Sequence, residues 1–455
     1  MKSKLRKFAA TAIVAGSAFA ATAANATPPP GSNNGPDHIR SAGSDTTYDM
    51  MSRLNALYNA SVGCSLNLAA PDYGDTCASP AAGTETENYD HDTVVEEYGI
   101  GSSNGIKKLR ISELTVPAIV QARSSRAITA ANNNTAKENA VVGSSFAKDG
   151  LSVIVFLGTK SASAPNNVAG FAGDPSTVSL TVSQLERIFS GAGGGCATNW
   201  TDLGNPGGLT GGITPYGLQT GSGTYQAFDS LITGDPNACA NAIAASACDT
   251  GAGTCTATRI LFENNTAPID GGVGTDGITY KQPLDRTTAI WWASGGSMSV
   301  DKVGRGTSSP FQVGGKLPDS ANVLDNTYPL VRKLWNVNKK LDVSFSAPLG
   351  SAVGTSATVA PRGISGNADF TGARGAAYNY RAWLCRNGGH ATLPKNYNTE
   401  ISSAITASGF VRVSGTYDAV SVNPVTGLTE RCILDNFIGS AAADDKVIPA
   451  NWTTA

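Results

Sequence analysis

Charge is scarce in this 455-residue chain: Asp, Glu, Lys and Arg make up 15% of it, and there are three histidines. The near balance of 33 basic against 35 acidic residues leaves no strongly basic surface, so nucleic acid is not an expected partner. No C-x-x-C pair occurs, and His38, His91 and His390 stand isolated, so no metal or other cofactor is expected. There is no Walker pattern and no internal repeat. Beyond the N-terminus no run is long and apolar enough to span a bilayer, which excludes stable membrane insertion through a helix.

What is present begins with an export signal. Lys2, Lys4, Arg6 and Lys7 precede a small apolar run from Phe8 to Ala20, and Ala24-Asn25-Ala26 offers a small-x-small cleavage site. Residues 1–26 read as a signal peptide and 27–37, rich in Pro, Gly and Asn, as a flexible leader. The first cysteine, Cys64, is far from that site, so no lipoprotein anchor is expected and the mature chain is periplasmic or secreted. Losing four basic residues leaves 29 Lys and Arg against 35 Asp and Glu, a net charge of −6. Eight cysteines in an exported chain read as disulfides. Cys64 with Cys77 and Cys385 with Cys432 are the expected pairs, while the connectivity of Cys196, Cys239, Cys248 and Cys255 stays open.

One stretch organises the rest: Leu218-Gln219-Thr220-Gly221-Ser222-Gly223-Thr224-Tyr225-Gln226-Ala227-Phe228. A Gly-Ser-Gly-Thr turn opens into a run with Tyr225, Phe228, Leu231 and Ile232 at helical spacing. Free first-turn amides, two hydroxyls and the positive end of a helix dipole together suit an anion. The pattern recurs at Ala42-Gly43-Ser44-Asp45-Thr46-Thr47 and at Gly101-Ser102-Ser103-Asn104-Gly105, each ahead of a helical run. One such turn is more often a plain helix cap than a site. Three of them can converge on one oxyanion.

Between these turns, strand-like and helix-like stretches alternate. His38 to Ala42, Thr93 to Ile100, Val116 to Gln121, Ile213 to Gly217, Thr287 to Ala293 and Tyr328 to Trp335 read as strands. Leu151 to Leu157, following Ser144 to Gly150, reads as a buried strand. Thr181 and Gln184 have capping-box spacing ahead of Leu185, Ile188 and Phe189, with Gly191 as the stop, and Tyr397 to Ser408 reads as the last helix. Asn237 to Thr258 reads as a cysteine-bearing insertion, residues 347–378 as loop, and Trp291-Trp292 as packing. The alternation predicts an α/β architecture with largely parallel pairing.

Several stretches match one family in order: Gly43 to Thr47, the turn at 101–105, Phe146 to Leu151, Leu180 to Trp200 with its Leu-x-x-x-Ile-Phe-Ser-Gly core, Gln219 to Phe228, Tyr328-Pro329-Leu330-Val331 and Gly409-Phe410. Across most of residues 38–415 the chain resembles the phosphate-binding protein of bacterial phosphate ABC transporters. The resemblance implies a type 2 periplasmic binding-protein fold: two α/β lobes, a hinge, disulfide-bearing loop insertions in this chain, and ligand in the cleft. It places the first lobe at 38–151 and 328–455, the latter including a C-terminal extension, and the second at 152–327. It implies that Ser44, Asp45, Thr46, Ser102 and Ser103 line the first-lobe side, and that Ser222, Gly223 and Thr224 close from the second. It further implies a monomer that binds inorganic phosphate or a similar oxyanion and meets an ABC permease.

The family pattern has an arginine four residues before the serine of the Gly-Ser-Gly-Thr turn, where this chain has Leu218, and a carboxylate where it has Ser125. A carboxylate there accepts the proton of hydrogen phosphate and repels sulfate. Arg123 and Arg126, flanking Ser124-Ser125, are candidates for the positive charge, with a surface salt bridge as the plain alternative, and Asp45 is the candidate proton acceptor. Two other roles are compatible with the sequence: anion scavenging or surface adhesion on the same fold, and a serine esterase. For the latter, Gly101 to Gly105 satisfies G-x-S-x-G with Ser103 as nucleophile and His390 as base. No separate oxyanion motif accompanies it, and it leaves the other two turns unexplained.

Overall fold

The computed structural model describes residues 39–61, 64–66, 75–77, 94–99, 101–111, 119, 121–128, 141–156, 174–250, 252–263, 265–298, 309–339, 380–381, 383–385, 398–418 and 432–435. The signal peptide, the leader, His38, His91, His390, Leu157 and the loop at 347–378 lie outside them.

In the first lobe β1 (Ile39–Gly43) leads into α1 (Tyr48–Ser61), and β2 (Val94–Gly99) leads into α2 (Ser102–Ile111). Next come β3 (Gln121–Ser124) and β4 (Val141–Val155), a strand of 15 residues. The second lobe adds α3 (Val182–Phe189), β5 (Thr214–Pro215), β6 (Gly217–Leu218), α4 (Gly223–Asp229), β7 (Ile260–Leu261) and β8 (Ala289–Ser294). The chain then continues through β9 (Val331–Lys339), α5 (Asn398–Ala407), β10 (Val411–Arg412) and β11 (Ile433–Asp435).

Nine of these strands form one mixed sheet in the order β2-β1-β3-β9-β4-β8-β5, with β10 and β11 also on β4. Pairing is parallel where the Gly-Ser turns start, between β1 and both β2 and β3. Around β4 it is antiparallel, contrary to the expected parallel dominance. The physical reason lies in β4 itself. Its residues 141–150 pair with β9, and its residues 151–155 pair with β8. One continuous strand therefore serves both lobes, and the returning strand must run against it. Because β4 has neighbours along its whole length, its apolar half, Leu151 to Val155, is buried throughout.

The hydrophobic residues separate accordingly. One cluster is drawn from residues 151–330, and two others combine residues 42–147 with residues from 334 onward. In the first cluster Trp291 and Trp292 are fully buried, and Phe228 lies 4.3 Å from Trp292, ring centre to ring centre. Both tryptophans are packing residues. Thr181 caps α3 with the reciprocal bond from Gln184, as the spacing predicts.

The open cysteines resolve into Cys196–Cys239 and Cys248–Cys255, and Cys385–Cys432 is bonded as expected. Cys64 and Cys77 sit directly opposite each other in a short antiparallel ribbon. No helix among the described residues is long and apolar enough to cross a membrane.

Candidate functional site

Each Gly-Ser turn lies at the carboxyl end of a strand, where α/β folds bind ligands. The first follows β1. There the Ser44 amide donates to the Arg123 carbonyl at 3.0 Å, and Arg123 Nε returns a bond to the Ser44 carbonyl at 2.9 Å. Arg123 is fully buried with its guanidinium 5.2 Å from the centre of the Tyr48 ring. It braces the turn from behind. The second turn follows β2 and starts α2. Ser102 Oγ accepts from the Ser125 amide at 3.0 Å and lies 3.3 Å from Ser125 Oγ, while Ser44 Oγ donates to Ser125 Oγ at 2.7 Å. Ser125, which stands where the family pattern has a carboxylate, thus joins the first two turns through its hydroxyl.

The third turn comes from the other lobe. Ser222 caps α4, its hydroxyl accepting from the amides of Thr224 and Tyr225. Gly223 packs directly on the first lobe: a Cβ there would lie 2.3 Å from both Ser102 Oγ and Ser125 Oγ, a distance no side chain tolerates. Gly101, at φ +82°, would likewise drive a Cβ to 2.6 Å from the Gly221 carbonyl. The lobes meet through glycines. Across this contact Thr46 Oγ1 lies 3.0 Å from Thr224 Oγ1.

Ser103 sits at the rim. Its Oγ accepts from Arg126 Nε at 3.2 Å and from Gln226 Nε2 at 3.1 Å, so it too links the lobes. Neither partner is a base. Arg126 is buried apart from a small fraction, with Nη1 on the Ala127 carbonyl. The sequence-predicted residues Ser44, Asp45, Thr46, Ser102, Ser103, Ser125, Arg126, Ser222, Gly223 and Thr224 therefore gather where the two lobes touch, with Arg123 behind the first turn. Leu218 does not join them. It is fully buried in the second-lobe core with its backbone bonded to Asn237, so no cation enters from that position.

Two charged residues that the sequence did not single out complete the site. Glu263, 6% exposed, accepts from Ser222 Oγ at 2.7 Å on Oε2 and from Thr46 and Thr224 at 2.5 Å each on Oε1. Its own amide donates to Gln219 Oε1 at 2.9 Å. The available signal was positional: Glu263 follows β7, which pairs in parallel with β6, the strand that feeds the Gly-Ser-Gly-Thr turn. Arg332, on β9, places Nη2 4.0 Å from Glu263 Oε1 and donates from Nη1 to the Ser125 carbonyl at 3.2 Å. Its main partner is Asp149, the residue directly across from it on β4, at 2.6 Å.

These charges shape the protonation of the cleft. Burial raises the Asp45 carboxyl to about 6; the nearby Glu263 charge adds to this, and Arg123 opposes it. Asp149 is also raised, by complete burial, against the pull of Arg332. Arg123 beside Asp45, and Arg332 against Asp149 and Glu263, thus set two guanidiniums against three carboxylates around a lining of serine and threonine hydroxyls.

Similar solved structures include an ABC-type phosphate transport receptor from Vibrio cholerae, at 17% identity and TM-score 0.42, covering 82% of this chain and 99% of the other. A putative phosphate ABC transporter substrate-binding protein from Clostridium perfringens, with bound phosphate, is 15% identical at TM-score 0.44, over 83% and 100% of the two chains. A possible phosphate binding protein from Planctomyces limnophilus is 14% identical at TM-score 0.38, over 84% and 94%. No curated protein matches the sequence. The family model of the PBP superfamily domain matches residues 73–354, more than half of the chain, and the protein belongs to that superfamily.

Proposed function

We propose that this chain is exported, captures one inorganic oxyanion, phosphate first, in the cleft between its lobes, and delivers it to an ABC permease. The observation that carries the reading is the convergence of the Ser44, Thr46, Ser102, Ser125, Ser222 and Thr224 hydroxyls from both lobes into one water-poor contact. Hydroxyls and first-turn amides can replace the hydration of an anion without fixing a counter-ion, and closure of the two walls supplies the enclosure. Arg126 at the rim and Arg332 beneath the site add the positive charge that Leu218 does not. Asp45, made more basic by its burial, is suited to accept the proton of hydrogen phosphate and to disfavour sulfate.

Thermal shift with phosphate, arsenate and sulfate tests this. Phosphate and arsenate raise the melting temperature of the mature chain and sulfate does not. In D45N the three anions become equivalent. No shift with any anion would remove the reading.

A further inference from the structure

The protons of the second-lobe turn already have an acceptor. Each serine or threonine hydroxyl has one proton to give. Those of Ser222, Thr224 and Thr46 all point to Glu263, two to one carboxylate oxygen and one to the other. With both threonine protons committed, the 3.0 Å contact between the Thr46 and Thr224 oxygens carries no hydrogen bond of its own. Glu263 is thus satisfied as an anionic ligand is satisfied: buried, fixed at its backbone by Gln219, and held by hydroxyl donors from both lobes. It presents two oxygens on one centre with a delocalised negative charge, the same local chemistry as one edge of a tetrahedral oxyanion.

We propose that Glu263 is a tethered internal anion, occupying the second-lobe half of the socket and, through Thr46, latching the two lobes together until an oxyanion displaces it. Which anions the cleft accepts is then set by their ability to outcompete a carboxylate for three hydroxyls. The competitor half of this inference rests on the oxyanion reading above; the latch half does not. The charged groups around Glu263 are Asp45, on the turn after β1, which repels it, Arg332, on β9, which attracts it, and Asp149, on β4, which holds Arg332 in place. A fully ionised ligand entering beside Glu263 would meet both its charge and that of Asp45, so the carboxylate must move aside.

The test uses the mature chain and the variants E263A and E263Q, with spin labels on cysteines introduced at Lys107 and Ser183, both exposed and on opposite lobes. Without any anion, the wild-type chain gives a single short inter-lobe distance, and E263A broadens it to longer values. In titrations with inorganic phosphate at pH 8, E263A binds at least tenfold more tightly than wild type, and E263Q, which keeps the volume and loses the charge, moves the same way. An unchanged ligand-free distance in both variants overturns the latch. Equal or weaker phosphate binding in both overturns the competitor; weaker binding would mean that Glu263 helps to hold the ligand. If neither wild type nor variant binds phosphate or sulfate, the oxyanion reading falls with its competitor, while the distance measurement still decides the latch.

Discussion

Thr46 of the first lobe and Thr224 of the second aim their hydroxyls at the same oxygen of Glu263, across a gap of 3.0 Å between their own oxygens. Two segments 178 residues apart in sequence thereby share one acceptor. The turn that carries each threonine is set locally, but the meeting of the two depends on how closely the lobes approach.

That approach is limited at Gly223. A methyl group there would press on Ser102 and Ser125, both buried, and hold the walls apart. G223A is expected to lower the melting temperature, since the lost inter-lobe contact outweighs the better helix propensity of alanine. Its phosphate affinity should fall at least tenfold in calorimetric titration. Unchanged affinity would mean that the walls need not touch for binding.

Asp45 gives the native state a pH signature. Its carboxyl titrates near 6 in the folded chain against an ordinary value of 3.8, so the folded protein holds this proton where the unfolded chain has lost it. Stability therefore falls as pH rises from about 4 to about 6 and stays lowered above that. D45N removes the loss, and at pH 8 without anion it should be more stable than wild type by about 3 kcal/mol, the two converging near pH 3.5. Urea unfolding at the two pH values measures the difference. A D45N chain less stable at pH 8 would contradict the burial of an ionised Asp45.

Much of this was legible in the sequence where the determinants are local. Thr181 and Gln184 announce their helix because a capping box needs only four residues, and the three Gly-Ser turns do so for the same reason. Cys196 with Cys239 could not be read, because the four cysteines from 196 to 255 allow three pairings and only the fold selects one. The antiparallel run of β4 against β9 was hidden because a buried strand looks alike in either direction. Glu263 was missed for a related reason: it follows the cysteine-bearing insertion, and only the pairing of β7 with β6 carries it into the cleft. Leu218 departs from the family pattern, and its burial gives the reason, since an arginine there would place its charge in the second-lobe core.

Asp149 and Arg332 sit face to face where β4 passes from one lobe to the other. Both are nearly inaccessible, so removing one partner leaves a buried charge. R332M should destabilise the chain by about 3 to 5 kcal/mol, while D149N/R332M should recover most of that loss. Chemical denaturation of the two single variants and the double variant measures the coupling. Additive losses would show that the two charges act independently.

The two second-lobe disulfides should differ in weight. Cys196–Cys239 closes a loop of 43 residues' separation and Cys248–Cys255 one of 7. Loop-closure entropy assigns about 4 kcal/mol to the first and about 2.5 to the second. C196A/C239A should therefore melt at a lower temperature than C248A/C255A, and the reverse order in calorimetric scans would contradict this.

The central claim is that both lobes close on one oxyanion, and calorimetric titration of the mature chain with phosphate tests it most directly. A single saturable site, one phosphate per chain, lost when Ser44 and Thr224 are both replaced by alanine, is the expected result. Absence of saturable binding across pH 5.5 to 8, or binding indifferent to those two hydroxyls, would contradict it.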